Sequence, residues 1–253
     1  MTTQTYKTVT AHEVTDTMLE EAAKLFSENY GIWGRHSGKA GKRPVKLSAR
    51  RLRQQYLPNA TDTVVSYYVM VTVDGYLAGN AFACRWKCDG MTVCWVTQLV
   101  VDKDYRDNGL ATGLLRSLRK TTDDIYGIMS SHPAACLAAA KSFGTTIEKI
   151  SLDFIRRKAH RTMKSSPIPY IQNTTLRGTI FQPEDTSGMV SGVNTGFFVD
   201  HEEPQKVLQA VRGNWQWPLG DLPDGHEYLL VMPAKHRRPT PSSLPLGEAG
   251  RPD

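Results

Sequence analysis

The clearest hydrophobic pattern in the chain lies between Val93 and Lys120. Residues 93–101 are a dense run of β-branched and aromatic side chains, which is typical of a mostly buried strand. A polar turn over residues 102–109 follows, and leucines and alanines then recur at helical spacing from Leu110 onward. The pattern therefore predicts a buried strand, a turn and an amphipathic helix in direct succession.

Two β-rich runs precede this unit and predict a meander of antiparallel strands. Residues 63–73 and 76–86 are separated by an Asp-Gly pair, which is the strongest short signal for a β-hairpin. A second Gly-containing turn at 87–90 leads into the buried strand, and a fainter pattern predicts a first strand at 6–11. Successive antiparallel strands are therefore expected before the polar turn.

Helical spacing of apolar residues predicts two helices near the start of the chain. The first covers residues 16–30, with a capping-box pattern at 17–20, and the second covers 48–56. Residues 31–46 between them are rich in Gly, Lys and Arg and lack periodicity, so they are predicted to form a mobile basic loop. Trp33 in this loop is expected either to line a substrate entrance or to anchor the loop on the core.

The second half of the chain alternates between further strands and helices. Its β-rich and amphipathic runs predict strands at 125–131, 176–181, 194–199 and 228–232, and helices at 133–144, 145–165 and 204–213. The last two strands are expected to complete the sheet. From Ala234 the chain is rich in Pro, Ser and charged residues, which predicts a disordered tail over 234–253.

The composition is that of a globular protein with an anionic partner. Of the 253 residues, 40% are hydrophobic, which is ordinary for a chain that buries a full core. The net charge of +6 indicates an anionic ligand, and the basic residues are dispersed along the chain, which argues against nucleic acid. No stretch has the pattern of a signal peptide or a run of ~20 apolar residues, so we expect no membrane association and a cytoplasmic location, with the nucleus as the alternative.

The cysteines do not have the paired spacing of a zinc site, and no histidine cluster accompanies Cys84, Cys88, Cys94 and Cys136. They are predicted to be small buried hydrophobes or, in the turn that contains Cys88, a free thiol. No metal site is therefore predicted.

The turn between the buried strand and the amphipathic helix has the layout of an anion site. A helix N-terminus presents unpaired backbone N–H groups and a partial positive charge. Gly109 allows the main chain to take a positive φ or to approach a ligand closely, and Arg106 adds a fixed positive charge. An ordinary turn with a solvated Arg106 is the alternative.

The pattern Arg-x-x-Gly-x-Ala from Arg106 to Ala111, directly after a valine-rich strand, resembles the pyrophosphate-binding motif of the GNAT superfamily of N-acetyltransferases. The order of the predicted elements over residues 6–145 is similar to that family as well. The resemblance implies an α+β fold with three layers, in which helices cover both faces of a mixed, mostly antiparallel sheet. It also implies an acetyltransferase domain over residues 1–233, extended by an insertion at about 145–225.

In that family acetyl-CoA lies in a V-shaped gap between two splayed strands, so the resemblance implies acetyl-CoA as co-substrate. The motif strand is expected to pair with the pantetheine amides, and the turn to bind the diphosphate. The cofactor-binding residues implied are Leu99, Val100, Val101, Arg106, Asp107, Asn108, Gly109, Leu110, Ala111, Thr112, Ser131 and His132. Two positions depart from the family pattern. Ser131 or His132 replaces the usual Asn, and Ala139 replaces the Tyr that protonates the leaving thiolate. Ser131, His132, Tyr126 or water is therefore expected to supply that proton.

Acetyl transfer to an amine requires a base, since the free amine has a pKa of about 10 and must lose a proton before or during its attack. The buried strand supplies no carboxylate where some relatives place a Glu. Asp200, His201 and Glu203 at the end of a predicted strand are the candidate bases, with His226 and Glu227 as weaker candidates. Alternatively, Asp200 caps the following helix and the acidic residues complement its dipole.

Three functions fit these features. The first is an N-acetyltransferase for the primary amine of a small molecule, acting by direct attack in a ternary complex, with Trp33, Trp215 and Trp217 enclosing a compact pocket. The second is a protein or peptide acetyltransferase, which the net positive charge disfavours. The third is a non-catalytic acyl-CoA-binding protein, which the missing tyrosine favours. Of the three, we expect the small-molecule enzyme.

Overall fold

The described residues, 2–39 and 42–235 of a computed structural model, fold around an eight-stranded sheet. Across the sheet the strands follow the order β1-β2-β3-β4-β5-β8-β7-β6. Among them only β4 and β5 pair in parallel, and every other neighbouring pair is antiparallel. The strands are β1 (Gln4–Thr10), β2 (Val65–Val73), β3 (Tyr76–Cys88), β4 (Met91–Val101), β5 (Ile125–Ser130), β6 (Thr175–Arg177), β7 (Gly192–Asn194) and β8 (His226–Pro233). The predicted mixed, mostly antiparallel sheet is confirmed.

Seven α-helices accompany the sheet within the described residues. They are α1 (Asp16–Asn29), α2 (Ala49–Tyr56), α3 (Leu110–Ser117), α4 (Pro133–Ser142), α5 (Leu152–Lys164), α6 (Pro169–Gln172) and α7 (Glu202–Asn214). The Ser48 hydroxyl caps α2 as expected, because it accepts a hydrogen bond from the Arg51 N–H at 3.3 Å.

The sheet separates two layers of helices because its side chains alternate between its faces. Tyr68 and Phe82 lie opposite each other on β2 and β3 and pack with α1 and α2. On the other face, Leu114 of α3 and Val71 lie against Gly79, and α4 packs beside α3. The α+β arrangement with helices on both faces is therefore confirmed.

Two helices begin where a side chain caps them, and not where their apolar pattern begins. Helix α1 starts after Thr15, so the capping box predicted at 17–20 is wrong. Helix α5 starts after Ser151, whose hydroxyl accepts a hydrogen bond from the Phe154 N–H at 3.2 Å, and a short 3₁₀ turn precedes it within the predicted range 145–165. A capping hydrogen bond to a single side chain therefore sets each start.

The C-terminal half differs from its predicted strands and helix. Strands β6 and β7 have three residues each, fewer than the runs predicted at 176–181 and 194–199, and β7 lies before most of the second run. Gly196 takes a φ of 63°, which turns the chain out of the ladder after β7. Helix α7 begins before Pro204 and continues past Gly213, and the apolar pattern does not predict α6.

All four cysteines, Cys84, Cys88, Cys94 and Cys136, are buried free thiols. Burial raises the pKa of Cys84 to about 11 and that of Cys94 to about 12. They therefore act as small buried hydrophobes, as predicted, and Cys88 is the buried last residue of β3, so the alternative of a free thiol in the turn is wrong.

The start of the predicted tail is attached to the sheet. The Ala234 N–H donates a hydrogen bond to the Asp124 carbonyl oxygen at 2.8 Å. The rest of the predicted disordered segment, 236–253, lies outside the described residues. Among the helices of the described part of the chain, none has the length and apolar character needed to cross a bilayer.

A buried ion pair ties β3 to the loop before β5. The Arg85 guanidinium donates from Nε to Asp123 Oδ1 at 2.7 Å and from Nη2 to Oδ2 at 3.0 Å. It also donates to the Leu118 carbonyl oxygen, and it lies over the Tyr67 ring with its central carbon 4.7 Å from the ring centroid. The Arg85 and Asp123 side chains are only 7% and 0% exposed, so each charge depends on the other.

Asp123→Ala is expected to lower the free energy of unfolding by about 3–5 kcal/mol, because it leaves the buried Arg85 charge without its partner. Urea-induced unfolding of the full chain measures this change. Arg161→Ala, which removes an exposed ion pair with Asp89 at 3.1 Å, is expected to leave the stability nearly unchanged. Equal losses in the two variants contradict the prediction.

Candidate active site

Strands β4 and β5 run side by side and then separate. Their parallel pairing ends at Val96 and Ile128, although both strands continue. A β-bulge stands at the same place on β4, because the register with β3 skips Thr97. A V-shaped gap results, in which the main chain of residues 97–101 has no ladder partner on its β5 side within the described residues.

The indole of Trp95 lies over β5 just before the point at which the two strands part. Trp95 is fully buried and pairs with Gly127 of β5. A Cβ atom on Gly127 would lie 2.1 Å from Trp95 Cε3, so only glycine admits the ring at this place. The Trp95 ring therefore occupies the space that a side chain on Gly127 would otherwise take.

The turn between β4 and α3 stands at the open end of the gap and presents free main-chain N–H groups. Gly109, the N-cap of α3, has a φ of 77°, and Asp107 has a φ of 62°, so both are in the left-handed region. Within the described residues, the backbone N–H groups of residues 108–112 make no hydrogen bond. A Cβ atom on Gly109 would meet nothing within 4 Å. Free N–H groups at a helix N-terminus beside open space fit an anionic ligand.

The Arg106 side chain ties this turn to two helices. Its Nη2 donates to the Asn29 carbonyl oxygen at 2.7 Å, and its Nη1 pairs with the Glu203 carboxylate of α7. The pKa of Glu203 is lowered to about 2, first by the His132 side chain, whose Nε2 lies 3.6 Å from Glu203 Oε1, and then by the Arg106 charge, against the opposing effect of burial. Arg106 is therefore partnered, and the main chain of the turn is the part left free for a ligand.

The other residues predicted to bind the cofactor surround the same gap. Residues 99–101 are the last part of β4, beyond the point where it leaves β5. Ser131 and His132 connect β5 to α4, where His132 Nδ1 accepts a hydrogen bond from the Ala134 N–H at 3.2 Å. Asp107, Asn108, Leu110, Ala111 and Thr112 form the turn and the start of α3.

A cavity of about 480 Å³ lies against the gap on the face covered by α1 and α2. Its walls come from these helices, from the parted segments of β4 and β5, from α6 and from the loop after β7. Trp33 lines this cavity and also anchors its loop on the core, where its ring packs edge-on against Phe197 at 5.3 Å between centroids. Trp215 and Trp217, predicted to enclose the pocket with Trp33, are not among its described lining residues. The aromatic residues in the lining are Phe26, Tyr30, Trp33, Tyr56, Trp95, Tyr170 and Phe197.

Glu227 is the one carboxylate among the described residues that line this cavity. It lies on β8, opposite Val193 of β7. Burial raises the pKa of Glu227 to about 7, and a hydrogen bond from the Thr195 side chain offsets part of this shift. Protonated and ionised forms therefore coexist at neutral pH, which is the condition under which a carboxylate exchanges a proton with a bound amine.

Tyrosine hydroxyls accompany this carboxylate. Tyr170 donates a hydrogen bond to the Thr97 carbonyl oxygen at 2.9 Å, at the bulge of β4. Burial, and then the Glu227 charge, raise the pKa of both Tyr30 and Tyr56, so their hydroxyls stay protonated at neutral pH. The cavity therefore contains protonated phenols, which are able to donate hydrogen bonds.

The proton donors considered from the sequence lie elsewhere. Ala139 is fully buried, so α4 supplies no hydroxyl at the position of the family tyrosine. Tyr126 stacks on Phe143 with ring centroids 4.0 Å apart, and burial raises its pKa to about 12. Neither Ser131 nor His132 is among the described residues that line the cavity.

Polar groups beside the bulge lack a partner. Gln98 is 6% exposed, and neither its Oε1 nor its Nε2 forms a hydrogen bond with the described residues. The Thr97 hydroxyl is also buried and forms no hydrogen bond with the described residues. Thr97 and Gln98 both line the cavity. Because buried polar groups in stable folds are nearly always hydrogen-bonded, these atoms are available to a ligand.

The residues predicted as bases lie at the start of α7, outside the cavity that holds Glu227. Asp200 accepts a hydrogen bond from the Glu202 N–H at 2.8 Å at the start of α7, although the N-cap residue of that helix is His201. His201 is 5% exposed and lines a second cavity together with Asp200, and burial lowers its pKa. The catalytic role of Asp200, His201 and Glu203 stays a prediction.

The sequence gives Glu227 only a weak signal. It stands just before the apolar run 228–232, whose pattern predicts a strand that starts after it. Strand β8 begins at His226, so Glu227 is inside the strand and faces away from Tyr228. A lone acid at the start of an otherwise apolar strand is the signal that singles it out.

Comparisons with known proteins give structural similarities only. No protein-family model matches the sequence, and a search of curated proteins finds no match. The solved structures similar to part of the chain include several N-acetyltransferases. One is the ribosomal-protein-S18-alanine N-acetyltransferase from Escherichia coli, with 16% identity and a TM-score of 0.36 over 55% of this chain and 77% of that one.

Two further similar structures are also described as acetyltransferases. An aminoglycoside acetyltransferase from an uncultured soil metagenomic sample, in complex with sisomicin, has 11% identity and a TM-score of 0.30 over 45% of this chain and 66% of that one. An acetyltransferase of the GNAT family from Streptococcus pneumoniae has 14% identity and a TM-score of 0.36 over 58% of this chain and 93% of that one. Between 45% and 58% of this chain is therefore similar to the three enzymes.

Proposed function

We propose that this chain is a GNAT-type, acetyl-CoA-dependent N-acetyltransferase that acetylates the primary amine of a small molecule by direct attack in a ternary complex. The observation that carries the proposal is the parting of β4 and β5 after Val96 and Ile128. The cavity that contains Glu227 is lined by residues 96–99 of β4 on one side of this gap, and the α3 turn with its free N–H groups follows the end of the same strand. In this proposal residues 1–233 are one acetyltransferase domain, extended by an insertion at about 145–225.

Acetyl-CoA fits the residues around the gap. The N–H groups of residues 108–112 would hold the diphosphate, and the open space beside Gly109 lets its oxygens approach the main chain. The unpaired main chain of residues 99–101 would pair with the amides of the pantetheine arm. Bound in this way, acetyl-CoA supplies the acetyl group as an activated thioester at the edge of the cavity.

Glu227 is the base in this proposal. The acceptor enters as an ammonium ion, and the ionised carboxylate takes one proton from it, so that the nitrogen lone pair is free to attack the thioester carbonyl carbon. The new C–N bond forms and the C–S bond breaks, with its electron pair leaving on sulfur. The nitrogen loses its second proton as the amide forms, and Tyr30, Tyr56 or Tyr170 in the cavity, or water, passes a proton on to the sulfur.

The surroundings of Glu203, Asp200 and His201 make these residues less suitable as the base than Glu227. Glu203 has a pKa lowered to about 2 and is held by Arg106, so it has little tendency to take a proton from an amine at neutral pH. Asp200 is engaged at the start of α7, and His201 lines the second cavity. Glu227 alone combines a position in the cavity beside the gap with a pKa of about 7.

Two measurements on the full chain test the proposed function. Calorimetric titration with coenzyme A is expected to show saturable binding, and a thiol assay with acetyl-CoA is expected to show release that depends on an added amine. Absence of coenzyme A binding contradicts the proposal. Binding without release, for any small amine or lysine peptide, favours the non-catalytic acyl-CoA-binding protein.

A further inference from the structure

We propose that the acceptor is a compact monoamine with an aromatic or other apolar body, and that a second positive charge on the acceptor is rejected. This inference rests on the proposed function, since it names the substrate class of the Glu227 cavity. It follows from the walls of the cavity, from the position of its charges and from its unpartnered amide.

Seven of the described residues that line the cavity are aromatic. Phe197 packs edge-on against Trp33 at 5.3 Å and tilted against Tyr30 at 6.0 Å between ring centroids. Tyr56 and Tyr170 meet edge-on at 5.9 Å across the cavity lining. Aromatic rings favour edge-on and offset contacts with another ring, so these walls fit a planar apolar group on the acceptor.

The volume of the cavity limits the size of the acceptor. About 480 Å³ falls in the range of small-molecule sites, which enclose most of the surface of their ligand. An acceptor whose amine reaches Glu227 therefore has its body among the rings of the lining.

The charges of the cavity allow one ammonium group. Glu227 is the sole carboxylate among the described lining residues, so a second ammonium inside the cavity has no partner there. The only charged lining residues besides Glu227, again among the described ones, are Lys46 and Arg51, and both side chains are exposed. These cations repel a polycation at the mouth of the cavity. Polyamines, polyamino sugars and lysine-rich peptides are therefore poor acceptors.

The unpartnered Gln98 amide adds a polar contact within the apolar walls. Its Oε1 and Nε2 atoms are buried and form no hydrogen bond with the described residues. A hydroxyl or ring N–H on the acceptor body would satisfy one of them. Among aromatic monoamines, those with one such group are therefore expected to be favoured.

The first test compares phenethylamine and tyramine with spermidine, kanamycin and a lysine-rich peptide in the thiol-release assay. The two aromatic monoamines are expected to exceed the polycations in kcat/KM on the order of 100-fold, with tyramine above phenethylamine. Calorimetric titration of the enzyme saturated with coenzyme A gives an independent readout, because it measures acceptor binding without turnover. Equal or tighter binding of spermidine overturns the inference.

The second test reverses charge at the mouth of the cavity. Arg51→Glu and Lys46→Glu are expected to raise kcat/KM for spermidine about 10-fold while leaving KM for acetyl-CoA unchanged. Arg50→Glu is the matched control, because Arg50 is exposed on the same helix but does not line the cavity. The same gain in all three variants overturns the inference.

The two proposals fail in different ways. If coenzyme A binds but a polycation is the best acceptor, only the acceptor class is wrong. If coenzyme A does not bind, the proposed function is wrong as well. If coenzyme A binds and the aromatic monoamines bind no better than spermidine, the inference is overturned even without turnover.

Discussion

Glu227→Gln is expected to lower kcat/KM for the acceptor amine by about 100- to 10,000-fold, the usual contribution of a general base. Glutamine preserves the size of the side chain and its hydrogen bonding, but it has no lone pair of suitable basicity. Thiol release at saturating acetyl-CoA measures the loss. The affinity for coenzyme A is expected to stay unchanged. Glu227 lines the cavity on the face of α1 and α2, and the residues proposed to bind the diphosphate, 108–112, do not line that cavity.

The pH profile distinguishes a base from a merely structural carboxylate. Burial raises the pKa of Glu227 from 4.5 to about 7, so the active, ionised form is scarce at low pH and grows as the pH rises. The wild-type kcat/KM is therefore expected to increase through about pH 7, and Glu227→Gln to lack this increase. Asp200→Asn is the comparison that makes the same carboxylate-to-amide change outside this cavity, and it is expected to retain the increase. Loss of the increase in Asp200→Asn, with its retention in Glu227→Gln, assigns the base to Asp200.

The same substitution is expected to stabilise the protein at alkaline pH, which separates lost activity from lost folding. A carboxyl whose pKa is raised on folding contributes stability that is complete below its unfolded pKa and is lost as the pH rises through the folded value. For Glu227 that window runs from about 4.5 to about 7. At about pH 8 Glu227→Gln therefore gains up to ~3 kcal/mol relative to the wild type, and at about pH 4 it gains little. Thermal unfolding at the two pH values measures this difference.

Gly109→Val is expected to weaken coenzyme A binding by more than about 100-fold. The valine side chain would point into the open space beside the free N–H groups, where the diphosphate is proposed to lie. A β-branched residue also disfavours the φ of 77° that Gly109 adopts, so the turn would distort. Calorimetric titration with coenzyme A gives the change in affinity.

Two further variants distinguish the steric effect of a side chain in the proposed diphosphate site from the backbone strain at a positive φ. Gly109→Asn keeps the left-handed backbone accessible while still placing a side chain in the open space, so it is expected to weaken binding nearly as much. Gly90→Val is the matched control for strain, because Gly90 has a φ of 78° and also has nothing within 4 Å of its Cβ position. It lies in the turn between β3 and β4 and is expected to lower stability without changing coenzyme A affinity. Unchanged affinity in Gly109→Val removes the basis for a diphosphate site at this turn.

Local sequence predicts the elements that hold the turn. The Asp-Gly pair at 74–75 predicts a hairpin, and both residues adopt the positive φ that such a turn needs. The run at 93–101 predicts most of β4, and the leucines after Gly109 predict the buried face of α3. These signals are readable because they depend on neighbours within a few residues of one another.

Other features depend on contacts between distant segments and are not readable in this way. Thr15 caps α1 although the sequence pattern at 17–20 is also suitable, because the choice depends on where the chain leaves β1. Strand β7 is short because its partner β8 is available only opposite residues 192–194. The local sequence does not specify where the chain leaves β1 or which residues of β8 pair with β7.

By itself, then, the sequence determined the strand, the glycine turn and the helix at which the diphosphate is proposed to bind, because each is specified by short-range hydrogen bonding and hydrophobic period. The tertiary structure decided which acid lines the cavity beside the gap. It placed Glu227 among aromatic walls on a strand that joins the sheet from the far end of the chain, and it engaged Glu203 with Arg106 instead. The physical reason is that the protonation and accessibility of a carboxylate depend on the groups packed around it in space, whatever their separation along the chain.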